Sequence, residues 1–309
     1  MEILFNGIRV IVMTNSKILI VNNLCKTINK VNILKNISFE IDENEILGFV
    51  GPNGSGKSTT MKCIAGLYHP TSGSIFINGY DISQQREETL SQIGASIESP
   101  ALYPYLTGEE HFKLVAKWKG LNKTRINEME SFSGLKSDLK KEVRYYSMGM
   151  KQRLILSLAM MSKPKILILD EPTNGLDPQA IFELRNKLLD IKNEGTSILL
   201  SSHQLSEVDK LVDRIIFIKD GELIGKKTID ELHEKNISYI LKTSDDLSSK
   251  NLLKDYQILY DGECITIKCK SEIEFSNAIS SLVNNNIAIY KITESIQDLE
   301  TYYQNLYKG

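Results

Sequence analysis

Residues that staple a chain or ligate metals are scarce here: four Cys, four His and one Trp among 309. Cys25, Cys63, Cys264 and Cys269 form no CxxC pair, and no histidine stands at ligand spacing beside them. That pattern argues against a zinc site and for isolated thiols in a reducing compartment. No apolar run approaches the roughly 20 residues that a bilayer-spanning helix needs. An excess of one charge is also missing. With 37 Lys and Arg against 39 Asp and Glu, the chain offers no electrostatic case for nucleic acid as a partner. The N-terminal stretch MEILFNGIRVIVMTNS lacks a small-residue cleavage site. The expectation is a cytosolic protein with no membrane anchor of its own.

What is present is a chain able to bury a sizeable core, at 41% hydrophobic and 25% charged residues. Its length suits two domains. Residues 1–14 are expected to be an extension, since the segment after Met13 already reads as a first strand and Met13 is a candidate start. Residues 15–235 form the expected main domain. From Ile18 to Phe49, short β-branched runs alternate with Asn, Lys and Asp, as antiparallel strands do. From about Pro100 to Leu158 apolar residues recur at helical spacing. KILILDEP and TSILLSSH are continuous apolar strands of the kind buried on both faces of a parallel sheet. Composition shifts near Lys235, and residues 236–309 read as a small α+β domain.

Gly51 to Ser58, GPNGSGKS, fits G-x-x-x-x-G-K-[ST] at every position, between a buried strand and a helix. Glycines allow a backbone wrap whose N–H groups point at phosphate oxygens. Lys57 supplies a point charge for the β/γ-phosphates, and the Ser58 hydroxyl suits magnesium. A second signal is ILILDEP, Ile166 to Pro172. An acidic residue ending a buried strand is costly without a cation or hydrogen bonds. Asp170 is placed to hold magnesium, and Glu171 to polarise the water that attacks the γ-phosphate. His203 ends another apolar strand, where it can contact that phosphate and Glu171. YSMGMKQR, Tyr146 to Arg153, opens a helix, although a serine there is equally an ordinary N-cap.

In this order, the motifs resemble those of ATP-binding cassette ATPases over about Ile18 to Lys235. Gly51, Pro52, Asn53, Gly54, Ser55, Gly56, Lys57 and Ser58, with Thr59, match the Walker A loop, and ILILDEP matches the Walker B strand. YSMGMKQR matches the signature, through Ser147, Gly149 and Met150. NGLD matches the D-loop, ending in Asp177, and Ser202-His203 matches the switch histidine. Glu98 falls where the family has the glutamine of its coupling loop, which touches magnesium. Ile28 falls where the family has an adenine-stacking aromatic.

The resemblance implies an α/β fold: a P-loop core on a mixed, largely parallel sheet, an antiparallel β subdomain and a helical signature subdomain at about 100–158. It also implies ATP and Mg2+ as cofactors and a head-to-tail dimer with a second copy, in which the signature acts on the partner's nucleotide. Catalysis would fall to Glu171, His203 and Lys57, and metal ligation to Ser58, Asp170 and Glu98. YSMGMKQRL together with IESPALYPYLTGEEHF is similar to the bacitracin-resistance and lantibiotic self-immunity exporters. Those subunits pair with separately encoded membrane permeases, which would place this chain on the inner face of the cell membrane. The alternatives are an exporter of another cargo or a non-transport cassette of translation or DNA repair. One P-loop and no heptad insertion argue against the latter.

Overall fold

The computed structural model describes residues 2–5, 8–11, 17–98, 102–233, 237–254, 256–260, 262, 264–269, 271–295 and 299–308. Met13, Pro100 and Lys235, used above as boundaries, lie outside the described residues. The chain divides into two compact units, residues 1–226 and 227–309. Composition changes later than this, near residue 235, whereas the packing changes within the strand that spans Glu222–Thr228.

In chain order the first unit contains β1 (Glu2–Phe5), β2 (Ile8–Ile11), β3 (Lys17–Ile28), β4 (Val31–Asp42) and β5 (Ile46–Val50). Then come α1 (Lys57–Ile64), β6 (Ser72–Ile77), β7 (Tyr80–Asp81), α2 (Arg86–Ser91) and β8 (Ile93–Ser96). Helices α3 (Gly108–Lys119), α4 (Lys123–Ser133) and α5 (Met148–Ala159) follow, and make up the helical subdomain. The unit ends with β9 (Ile166–Leu169), α6 (Pro178–Asn193), β10 (Ser197–Ser202), α7 (Leu205–Val208), β11 (Arg214–Lys219) and β12 (Glu222–Thr228).

Six strands form one sheet in the order β12-β11-β5-β10-β9-β8. The pairs β11 with β5, β5 with β10, β10 with β9, and β9 with β8 are all parallel. Every residue of β5, β9 and β10 is buried, which is why these strands read as unbroken apolar runs. Val50 is level with Ser202, and Leu169 with Leu200. The carboxyl ends of β5, β10 and β9 therefore lie side by side, where ligands bind in sheets of this kind.

A second, antiparallel sheet has the order β4-β3-β6-β7. Its apolar face, with Leu19, Ile37, Phe39 and Ile41, shares one core with Phe49, Met61, Ile64 and Ile168. Each such side chain contributes roughly 1.5–3 kcal/mol on burial. Arg214 and Glu45 join the sheets: Arg214 Nε lies 2.6 Å from Glu45 Oε1, and its second amine donates to Glu45 Oε2 and to Glu40 O. The helical subdomain is capped at each start. Thr107 and Glu110 form a capping box on α3, Asn122 caps α4, and α3 ends at Gly120 in the left-handed conformation.

The second unit runs α8 (Ile229–His233), β13 (Ile237–Thr243), α9 (Asp246–Leu252), β14 (Gln257–Tyr260), β15 (Ile265–Cys269), α10 (Glu272–Asn284), β16 (Ile289–Ser295) and α11 (Leu299–Lys308). Its strands β13 to β16 pair antiparallel in the order β14-β15-β13-β16. With α9 and α10 in the crossovers, this is a βαββαβ, ferredoxin-like arrangement. Tyr239, Leu241, Ile265, Ile267, Ala278 and Leu282 form its core.

Candidate functional site

The chain leaves β5 through a turn that side chains would block. A Cβ on Gly51 would stand 2.3 Å from the Ile218 carbonyl oxygen. Gly56 has φ 110° and precedes α1, and a Cβ there would meet Leu34 at 2.7 Å. Both positions exclude every residue but glycine. Lys57 opens α1 and is buried, and its Nζ donates to Gly51 O at 2.7 Å and to Pro52 O at 3.0 Å. Burial lowers the Lys57 pKa, against the opposing pull of Glu171 and Asp170. Those two carboxylates are thus the anions that the ammonium feels. Ser58 and Thr59 are half-buried in the first helical turn, while Pro52, Asn53 and Gly54 are exposed. Ser55 is buried.

Asp170 and Glu171 follow β9 directly. Asp170 N donates to Ser96 O at 2.8 Å, and Asp170 Oδ1 accepts from Ser201 Oγ at 2.6 Å. Glu171 has φ 52°, a left-handed backbone that costs an L-residue on the order of 1–3 kcal/mol. Its N–H donates to Ser201 Oγ at 2.9 Å. Its carboxylate oxygen Oε2 lies 2.6 Å from His203 Nδ1, at the end of β10. Motif spacing does not single out Ser201. The signal available was a buried polar residue near the end of an apolar run, and β10 offers two such serines, Ser201 and Ser202.

Ser147 caps α5: its Oγ accepts from Met150 N at 3.2 Å. Asp177 caps α6 in the same way, accepting from Ala180 N at 2.8 Å, with Pro178 in the first turn. A Cβ on Gly149 would stand 3.3 Å from that of Ala180, so α5 and α6 approach closely here. Ser147, Gly149 and Asp177 line one cavity of about 190 Å³ with Arg153, Glu183 and Lys187. No residue of the P-loop or of the acidic pair is in its wall. Burial, then the neighbouring Arg153, lowers the Lys187 pKa. Glu98 is not in that wall either. Its carboxylate pairs with Lys62 on α1, and this bond raises the lysine's pKa. The structure brings Glu98 to Lys62, one helical turn beyond Ser58 on α1. Ile28 ends β3 opposite Val31, in the antiparallel sheet.

A glycine loop entering a helix, a buried lysine beside two strand-ending carboxylates, and a histidine on the adjacent strand define a P-loop nucleotide-hydrolysing cassette. Comparison with known proteins gives the family. Residues 34–174 match the family model described as ABC transporter. The bacitracin transport ATP-binding protein BcrA of Bacillus licheniformis is 36% identical over 95% of this chain and 98% of its own length. The lantibiotic transport ATP-binding protein SrtF of Streptococcus pyogenes is 40% identical over 71% of this chain and 97% of its own. A solved structure described as the ATP binding subunit of an ABC transporter superposes with a TM-score of 0.64 at 34% identity, covering 70% of this chain and 92% of that one. The chain belongs to the ABC transporter family, as an ATP-binding subunit that hydrolyses ATP to power transport.

Proposed function

We propose that this chain is the motor of an exporter that removes membrane-active peptide antibiotics of the bacitracin or lantibiotic type. The cargo reading rests on the transport functions that the names of BcrA and SrtF state. The hydrolytic reading rests on one observation above all, the Glu171 carboxylate held 2.6 Å from His203 at the mouth of the parallel sheet. In this scheme the N–H groups of Gly51 to Ser58, with Thr59, cradle the phosphates of ATP, and Lys57 offsets the charge that grows on the γ-phosphate. Glu171 orients the attacking water, and His203 fixes the orientation of Glu171.

The donors available for magnesium are hard oxygens, the Ser58 hydroxyl and the Asp170 carboxylate, which suit this ion. Among the described residues no cluster of three or more His, Cys, Asp or Glu is built to hold a metal unaided. That fits an ion shared with substrate phosphates. When bound, it would neutralise charge on the β- and γ-phosphates. Glu98, paired with Lys62, is assigned to the segment that meets the permease and stays a third candidate oxygen donor for the ion.

Ser147 and Gly149 lie on a cavity wall that holds no residue of the P-loop, and Met150 follows them in the first turn of α5. This supports a head-to-tail dimer in which each signature helix closes over the nucleotide of the other copy, with Asp177 beside it. Among the described residues no helix is long and apolar enough to cross a membrane, which is consistent with separate permease subunits as the transport path.

The test is a host lacking its own copy, complemented with wild type or Glu171→Gln. Wild type is expected to restore tolerance to bacitracin or to a lantibiotic, and the variant to fail. The purified variant should form an ATP-bound dimer and turn over at least ~100-fold more slowly. Normal turnover refutes the role of Glu171. Lost turnover with tolerance to both peptides unchanged refutes the cargo.

A further inference from the structure

Ser201 is fully buried on β10, one residue beyond Leu200, which is level with the last residue of β9. Its side chain therefore stands beside Asp170. The neighbouring Ile198, Leu199 and Leu200 are apolar and buried, and a hydroxyl among them is unfavourable unless it is bonded. Ser201 makes two bonds, and both go to the acidic pair: 2.6 Å to Asp170 Oδ1 and 2.9 Å to Glu171 N.

The direction of these bonds is determined. A hydroxyl carries one hydrogen, and a backbone amide only donates. Oγ must accept from Glu171 N–H, so its own hydrogen goes to Asp170 Oδ1. Asp170 is thus held as an acceptor through one oxygen. Glu171 is held at its amide, in the left-handed conformation from which its side chain reaches His203. The next serine does something else: Ser202 Oγ accepts from Gln204 N at 3.0 Å.

We infer that Ser201 is a positioning residue for hydrolysis, pinning the backbone of Glu171 and one oxygen of Asp170 through a single hydroxyl. The inference rests on the role of Glu171 proposed above.

Ser201→Ala removes the hydroxyl and adds no bulk. The expected result for ATP hydrolysis is a kcat lower by at least about ten-fold, with KM unchanged within about two-fold. In EDTA the variant should bind a fluorescent ATP analogue as wild type does. The decisive readout needs no turnover: in the nucleotide-free full chain, the Glu171 amide should exchange hydrogen at least about ten-fold faster, with neighbouring strand amides unchanged. A merely structural serine would instead raise exchange along β9 and β10 together. Wild-type kcat, or a Glu171 amide protected as before, overturns the inference. If Ser201→Ala is normal while Glu171→Gln is inactive, this inference alone falls. If Glu171→Gln turns over normally, the hydrolytic reading falls with it.

Discussion

Lys57 and Cys63 share one short helix, and burial acts on both. For the lysine it opposes the charged form that the proposed function assigns to the nucleotide, and the ammonium sits on two carbonyls of its own loop. For Cys63, with no exposed surface, burial pushes the thiol up to about 11. The sign of the linkage follows. Between pH 9, the ordinary thiol value, and about 11, the unfolded chain has lost the proton and the folded one retains it. Stability from this group is complete below pH 9 and falls as pH rises through that window. Urea unfolding of wild type and Cys63→Ala at pH 8 and 11 should show the wild-type advantage shrinking by on the order of 2 kcal/mol. An advantage independent of pH would show that the thiol is not desolvated. At this scale the placement of Lys57, Asp170, Glu171 and His203 at loop and strand ends was legible, because strand and loop context marks it. Ser201 was not, because its role consists of two bonds across strands that are 31 and 30 residues apart in sequence.

At the scale of elements, helix starts and buried strands follow from local rules. Thr107, Asn122, Ser147 and Asp177 each cap the helix they precede. Ser147 and Asp177 therefore have a structural role whatever their part in a dimer. The joining of the two sheets is another matter. Arg214 begins β11 and Glu45 precedes β5, and both side chains are largely buried. Removal of one partner leaves a buried charge unpaired. Arg214→Ala should lower the unfolding free energy by roughly 3–5 kcal/mol, measured by denaturant titration. A loss below about 1 kcal/mol would class the pair with surface ion pairs. The seven-residue α9 carries too little pattern to be read from sequence, and the strand order that makes the second unit ferredoxin-like is a tertiary property.

At the scale of the whole molecule, the separation between the signature cavity and the P-loop has a kinetic consequence. If Ser147 and Gly149 act on the nucleotide of a second copy, ATP turnover per molecule should fall on dilution, approaching second order in protein. Steady-state assays of the isolated full chain across about a hundred-fold range of concentration test this. A constant rate per molecule would remove the signature from an intermolecular role. Sequence by itself determined the nucleotide class, because GPNGSGKS and ILILDEP encode a turn and a buried acidic strand end whose chemistry is local. It also marked the helical subdomain, through apolar periodicity. Only the tertiary structure decided that Glu98 faces Lys62, that Ser201 holds both carboxylate residues, and that β13 to β16 of the second unit pair as a βαββαβ arrangement. Each of these depends on which strands and helices lie side by side, and residue spacing along the chain does not specify that.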